Sequence, residues 1–240
     1  NGCSNTATQN IDVLEAPQPS TVIGTSGDTN IVFVWDYIND ANDGAFTNCN
    51  TAGPQLLMQL FDVSSTSSTN SFYHIDWGDT TTVDVYTSSD LNGVDTLHTY
   101  NSQGAYQITI SIEGQNGCIS YDTIDVFNGN QPAIGFAIQA TGGAICAPET
   151  LLFPITNISN NPPGTIYTVT SNVSEETFVY QHPPPNNHIH PFDTTSCGAI
   201  GSNYPNSFFV KIEAVNPCLS AQVTVEPIPI GTAPEAEIDI

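Results

Sequence analysis

From Tyr106 onward the chain alternates. Tyr106, Ile108, Ile110 and Ile112 fall on one side, and Gln107, Thr109, Ser111 and Glu113 on the other, the two-residue period of a strand with one face in a core and one in solvent. Phe208, Val210, Ile212 and Ala214 repeat the pattern later in the chain. Shorter apolar runs at Ile31 to Trp35, Leu56 to Val63, Phe72 to Trp77, Ile134 to Ile138, Leu151 to Ile155 and Tyr167 to Thr170 are separated by polar, turn-forming stretches such as Ser64 to Asn70. This pattern predicts an all-β chain of strands joined by polar turns.

A second regularity has a longer period. Asn1-Gly2-Cys3, Asn116-Gly117-Cys118 and Asn216-Pro217-Cys218 are each followed by an alternating stretch (Ile11-Asp12-Val13, Ile124-Asp125-Val126, Val223-Thr224-Val225) and then by proline. Three copies of one domain ending imply a tandem array with the period of an immunoglobulin-type sandwich. The expected organisation is residues 1–16 as the last strand of a preceding repeat or a donated strand, 17–130 and 131–231 as two β-sandwiches, and 232–240 as the first strand of a following repeat or a donated strand.

Within the first repeat, His74-Ile75-Asp76-Trp77-Gly78-Asp79 is answered by His98-Thr99-Tyr100 and by Gly104-Ala105-Tyr106-Gln107-Ile108-Thr109-Ile110. These segments resemble the PKD (polycystic-kidney-disease) repeat, an immunoglobulin-like β-sandwich. The resemblance implies that Trp77 lies in the core, that Trp-Gly-Asp shapes a turn, and that Tyr100 plugs a corner of the sandwich. In the second repeat there is no Trp-Gly-Asp, and His190-Pro191-Phe192 replaces His-Thr-Tyr. The cysteine entry, the Asn-x-Cys exit and the proline junctions look like the repeats of giant Bacteroidetes surface proteins, gliding-motility adhesins among them. That likeness implies an extracellular stalk or fibre whose partners are neighbouring repeats, identical subunits or a surface polysaccharide.

Charge narrows the function classes. Twenty-four acidic residues face one basic residue, Lys211, for a formal net charge of -23. With no basic patch to displace counterions, binding to nucleic acid or to anionic lipid is excluded. No run of about 20 apolar residues is present, so no transmembrane helix is expected. Repulsion of this size favours surroundings rich in screening ions or divalent cations, which agrees with an extracellular place.

Cys49 and Cys118, and Cys146 and Cys218, each bracket one copy of the strand pattern, as an intradomain bridge would. Each such bridge would contribute about 4 kcal/mol in the chain-entropy model and would imply an oxidising compartment. Buried free thiols in a reducing compartment are the alternative. Cys3 and Cys197 are left over: unpaired, joined to one another between chains, or, for Cys197, competing with Cys146 for Cys218 and, for Cys3, bonded to a cysteine in upstream sequence.

Two clusters are candidates for metal. Asp36, Asp40 and Asp43, with Asn39 and Asn42, offer oxygens for calcium, although their spacing is not that of an EF-hand and a solvated acidic loop fits as well. His182, His188 and His190 fall within nine residues, and imidazole suits zinc, copper or nickel. On a strand His188 and His190 would point the same way. A proline-stiffened loop with ordinary histidines is the alternative. Asp76 and Asp79 flank Trp77-Gly78, but no cleft of polar groups is written around them, and no nucleophile elbow, phosphate loop or zinc-protease helix occurs. The chain reads as a non-enzyme.

Overall fold

In the computed structural model the described residues are 16–17, 21–23, 46–49, 55–62, 66–91, 96–139 and 145–232. The expected strand at Ile31 to Trp35, the acidic cluster Asp36, Asp40 and Asp43, Cys3 and the two terminal strands lie outside them.

The described strands, in chain order, begin with β1 (Thr21–Ile23), β2 (Phe46–Asn48), β3 (Leu56–Asp62), β4 (Asn70–Asp76), β5 (Asp84–Thr87), β6 (Thr96–Tyr100), β7 (Gly104–Gly114) and β8 (Ile119–Asn128). They continue with β9 (Gly135–Phe136), β10 (Cys146–Ala147), β11 (Glu149–Thr156), β12 (Ile166–Ser171), β13 (Phe178–Gln181), β14 (Asn187–Phe192), β15 (Phe208–Asn216), β16 (Leu219–Ile228) and β17 (Gly231–Thr232). Among the described residues helix is confined to single turns at Ser67–Thr69 and Ser88–Leu91, so they are nearly all β, as the alternation predicts.

The strands form a three-stranded sheet β1-β3-β6 and a five-stranded sheet β2-β8-β7-β4-β5, then a three-stranded sheet β9-β11-β14 and a four-stranded sheet β13-β12-β15-β16, with β10 and β17 as a separate parallel pair. The seven-stranded immunoglobulin sandwich has its first, second, fourth and fifth strands in one sheet and its third, sixth and seventh in the other; here β5 and β13, in the fourth place, pair instead with β4 and β12, in the third. The chain divides into two compact units, one of Asn1–Gly44, Leu57–Thr99 and Gln107–Ile124, the other of Ala45–Leu56, Tyr100–Tyr106 and Asp125–Ile240.

In the first unit the alternation of β7 places Ile108, Ile110 and Ile112 fully inside. Register then sets Ile110 opposite Ile75 and Ile112 opposite Tyr73 of β4, cross-strand pairs that hold the two strands in one alignment. The second unit repeats this logic. Tyr167 and Val169 of β12 lie opposite Ala214 and Ile212 of β15, and they share one apolar core with Leu151, Phe153 and Ile155 of β11 and Phe192 of β14. Slipping either strand by one residue would turn this set out to solvent, so the pattern fixes the register as well as the strand.

Candidate functional site

The Trp-Gly-Asp segment follows β4 and turns back toward β5. Trp77 is buried, its indole Nε1 donates to Asp84 Oδ2 at 2.7 Å, and its ring stacks on His98 of β6 with centroids 4.4 Å apart. The other side of His98 is held by Asp79, with Nε2 2.8 Å from Oδ2. Asp79 Oδ1 accepts from both the backbone N–H and the hydroxyl of Thr81, and Asp76 Oδ1 accepts from Gly78 N–H at 2.9 Å. Burial alone would raise the Asp79 carboxyl above its ordinary range, but the hydrogen bonds from Thr81 and His98 outweigh it and hold it below. Asp76 and Asp79 are therefore turn-forming acceptors, each engaged by the turn it closes, and the depressed pKa of Asp79 makes it a poor proton donor.

Gly78 makes the turn possible. Its φ of +72° is a left-handed conformation, and a Cβ there would meet the backbone carbonyl of Gln107. Gly78→Ala is expected to destabilise the first unit by about 1–3 kcal/mol, read as a lower urea midpoint with the fold retained. An unchanged midpoint would mean that the turn tolerates a side chain.

Tyr100, fully buried, stacks on Tyr106 at 4.3 Å, and the Tyr106 hydroxyl donates to the Ser102 carbonyl at 2.8 Å. The corner role expected for Tyr100 is thus shared by two rings. Side-chain amides build the same region of the second unit: Asn48 Nδ2 donates to Asn128 Oδ1, Asn128 Nδ2 to the Ser102 carbonyl, and Asn216 Nδ2 to the Asn130 carbonyl. Asn216 opens the repeated Asn-x-Cys ending, whereas no sequence signal pointed to Asn48 or Asn128.

The histidines separate into two settings. β14 turns His188 and His190 inward together, as expected of positions two apart on a strand, and their ring nitrogens Nε2 and Nδ1 are 3.1 Å apart. Phe178 packs edge-on against His188, Phe153 and Phe136 tilt against it, and Phe192 packs on His190. His188 Nδ1 is 2.9 Å from the Tyr180 hydroxyl. His182 instead meets the hydroxyl of Tyr167, which also accepts from Asn161. The three histidines are thus placed in different settings: the strand buries two of the rings among aromatics, and the third bonds a tyrosine. Among the described residues no three His, Cys, Asp or Glu side chains are placed to hold a metal.

Burial, with the neighbouring His190 second, pushes His188 down to about 4. His190 is also lowered by burial, against the opposing pull of Glu176. A histidine whose folded pKa lies below its unfolded value contributes stability that is complete above about 6.5 and is lost as pH falls toward the folded pKa. The second unit is expected to lose about 3 kcal/mol between pH 6.5 and pH 4 on this account. His188→Phe should flatten that slope in urea titrations at stepped pH, and an unaltered slope would assign the acid sensitivity elsewhere.

The cysteines differ most from expectation. Cys49 is bonded to Cys218, with Cα atoms 5.5 Å apart, while Cys118 and Cys146 are partly exposed thiols and Cys197 an exposed one. The expected pairs Cys49 to Cys118 and Cys146 to Cys218 are not formed, for a reason of strand length. Cys118 stands just ahead of β8, whereas β2, which leads into Cys49, pairs with the far end of β8 at Val126 to Asn128. Ten residues of strand separate those two places, about 30 Å of rise, against the roughly 7 Å a disulfide spans between Cα atoms. Cys218 and Cys146 are divided by β16 in the same manner, since Cys146 pairs with Gly231 beyond its end.

Asn172, in the motif Asn172-Val173-Ser174, is taken up by the fold: its amide donates to the Ile200 and Ser207 carbonyls and its oxygen accepts from Phe209 N–H. Among the described residues no helix is long and apolar enough to cross a membrane.

No family model matches the chain, and no curated protein is similar to it in sequence. Solved structures similar to it include the PKD domain of the human VPS10 domain-containing receptor SorCS2, at 15% identity and a TM-score of 0.35, covering 44% of this chain and 79% of that one. A structure described as the structural basis for Dscam isoform specificity matches at 8% identity and a TM-score of 0.36, covering 78% of this chain and 44% of that one. The FN1–FN3 domains of chicken CNTN1 match at 9% identity and a TM-score of 0.28, covering 78% and 64%. The chain thus spans less than two thirds of the last two.

Proposed function

We propose that the chain is a non-enzymatic, extracellular structural segment: a length of stalk or fibre assembled from PKD-like sandwiches in tandem, of the kind found in giant Bacteroidetes surface adhesins. The observation that carries this reading is the Cys49–Cys218 bridge, which ties the start of the first sequence repeat to the second across 169 residues. A bridge of that reach suits a protein kept in an oxidising place, where it restricts the unfolded chain. The matching strand orders β5-β4-β7-β8 and β13-β12-β15-β16 support the tandem reading, and the use of Asp76, Asp79, His188 and His190 as turn and core groups supports a structural role over a catalytic one. A formal charge of -23 favours the solubility of such a segment.

Small-angle scattering and electron microscopy of the purified protein in calcium-containing, near-seawater salt test the proposal. A monodisperse, elongated particle with no hydrolytic activity and no retention on insoluble polysaccharide supports the stalk. Retention on polysaccharide would move the reading to a carbohydrate-binding module. Fibres that form without any disulfide between copies would move it to a subunit polymerising through its terminal strands.

A further inference from the structure

Two thiols of this chain stand at the positions its disulfide uses. Cys49 follows Asn48, whose carbonyl accepts from Gly129 N–H at 2.8 Å where β2 runs parallel to the end of β8. Cys146 follows Ile145, whose carbonyl accepts from Gly231 N–H at 2.8 Å where β10 runs parallel to β17, just past the end of β16. The other half of the bridge repeats in the same way. Cys218 sits in the turn between β15 and β16 with its N–H on Asn216 Oδ1 at 3.0 Å, and Cys118 sits in the turn between β7 and β8 with its N–H on Asn116 Oδ1 at 2.9 Å. One bridge is made, between the strand-end cysteine of the earlier repeat and the turn cysteine of the later. The converse pair, a turn cysteine in the earlier repeat and a strand-end cysteine in the later, is left as thiols, both partly exposed.

Neither thiol has a mate of the right kind within the described residues. The strand-end cysteine needs a turn cysteine from a sandwich that follows, and the turn cysteine needs a strand-end cysteine from one that precedes. We propose that Cys146 of one copy of this chain forms a disulfide with Cys118 of the next, with the geometry that joins Cys49 to Cys218 within a copy. The proposal rests on the tandem-repeat reading above. The two half-sites are different surfaces, so the contact is head-to-tail and propagates as an open chain. Every junction along such a fibre then carries the same covalent staple, whether or not a peptide bond crosses it.

The chemistry is ordinary thiol–disulfide exchange with a small-molecule disulfide such as oxidised glutathione as the oxidant. The Cys146 thiolate attacks one sulfur of that disulfide, giving a mixed disulfide and one small thiolate. The Cys118 thiolate of the next copy attacks the Cys146 sulfur and expels the second. Two protein thiols lose two protons and two electrons, and one small disulfide becomes two thiols.

The test is oxidation of an equal mixture of 15N-labelled and unlabelled protein in a glutathione redox buffer, followed by non-reducing electrophoresis and peptide mapping. A ladder of covalent oligomers is expected, with a Cys118–Cys146 peptide pair of mixed isotope content. That pair and the bulk of the ladder should disappear in Cys118→Ser and in Cys146→Ser, and persist in Cys197→Ser. Three results overturn the proposal. Cys49–Cys218 forming while Cys118 and Cys146 stay as thiols or glutathione adducts would leave the tandem reading standing and remove only this inference. A Cys118–Cys146 bridge of unmixed isotope, within one copy, would do the same. Absence of Cys49–Cys218 itself would remove both.

Discussion

Serine in place of Cys49 or Cys218 is expected to destabilise the second unit by roughly 5 kcal/mol, the chain-entropy value for a closed loop of this size, and to halve the stability of an ordinary domain. The bridge spans 169 residues, and the unfolded chain gains most of the freedom that the bridge removes. Little packing is lost with the sulfur, because Cys49 is exposed and Cys218 only partly buried, so the effect acts through the unfolded state. Reductant added to the wild-type protein should reproduce the loss, and Cys197→Ser, at an exposed position, should not. Urea unfolding of the three variants with and without dithiothreitol decides the matter: if reductant leaves the midpoint unchanged, the bridge is no staple.

Trp77→Ala is expected to cost the first unit about 3–5 kcal/mol, the range for truncating a buried aromatic to alanine. Three interactions leave together: the burial of the indole, its stack on His98 and its hydrogen bond to Asp84. Trp77→Phe should keep most of the burial and lose about 1 kcal/mol for the hydrogen bond. Hydrogen exchange of β4 and β7 reads both changes without relying on fluorescence from the remaining Trp35. Equal losses for the two variants would show that the indole N–H, rather than the buried ring, holds the corner.

Strand positions were legible where one face is buried and the other wet. The alternation through Ile108, Ile110 and Ile112, and through Val210, Ile212 and Ala214, is a direct record of two core faces. The burial of Trp77 and Tyr100 was legible through the PKD resemblance, because a Trp-Gly-Asp turn has few other physical uses: the aspartates cap it and the glycine supplies the positive φ.

Cysteine pairing was not legible, and the reason is instructive. The spacing within each bracketing pair reflects the length of one sandwich, so it is equally regular whichever cysteines bond. Only the pairing of β2 with the end of β8, far from the β7–β8 turn, excludes the intradomain bridge. The histidine pair was half legible. Positions two apart predicted a common side for His188 and His190, but that this side faces Phe136, Phe153, Phe178 and Phe192 depends on contacts between distant strands. A polar pair among rings and a metal ligand pair look the same in one dimension.

In the second unit a disulfide runs from Cys49, at the end of β2, to Cys218, in the turn between β15 and β16. Peptide mapping of the non-reduced, thiol-blocked monomer tests it most directly. A single linked pair of peptides is expected among the five cysteines from Cys49 onward, containing Cys49 and Cys218, with Cys118, Cys146 and Cys197 recovered as blocked thiols. Recovery of Cys49 linked to Cys118 and Cys146 linked to Cys218 would contradict it.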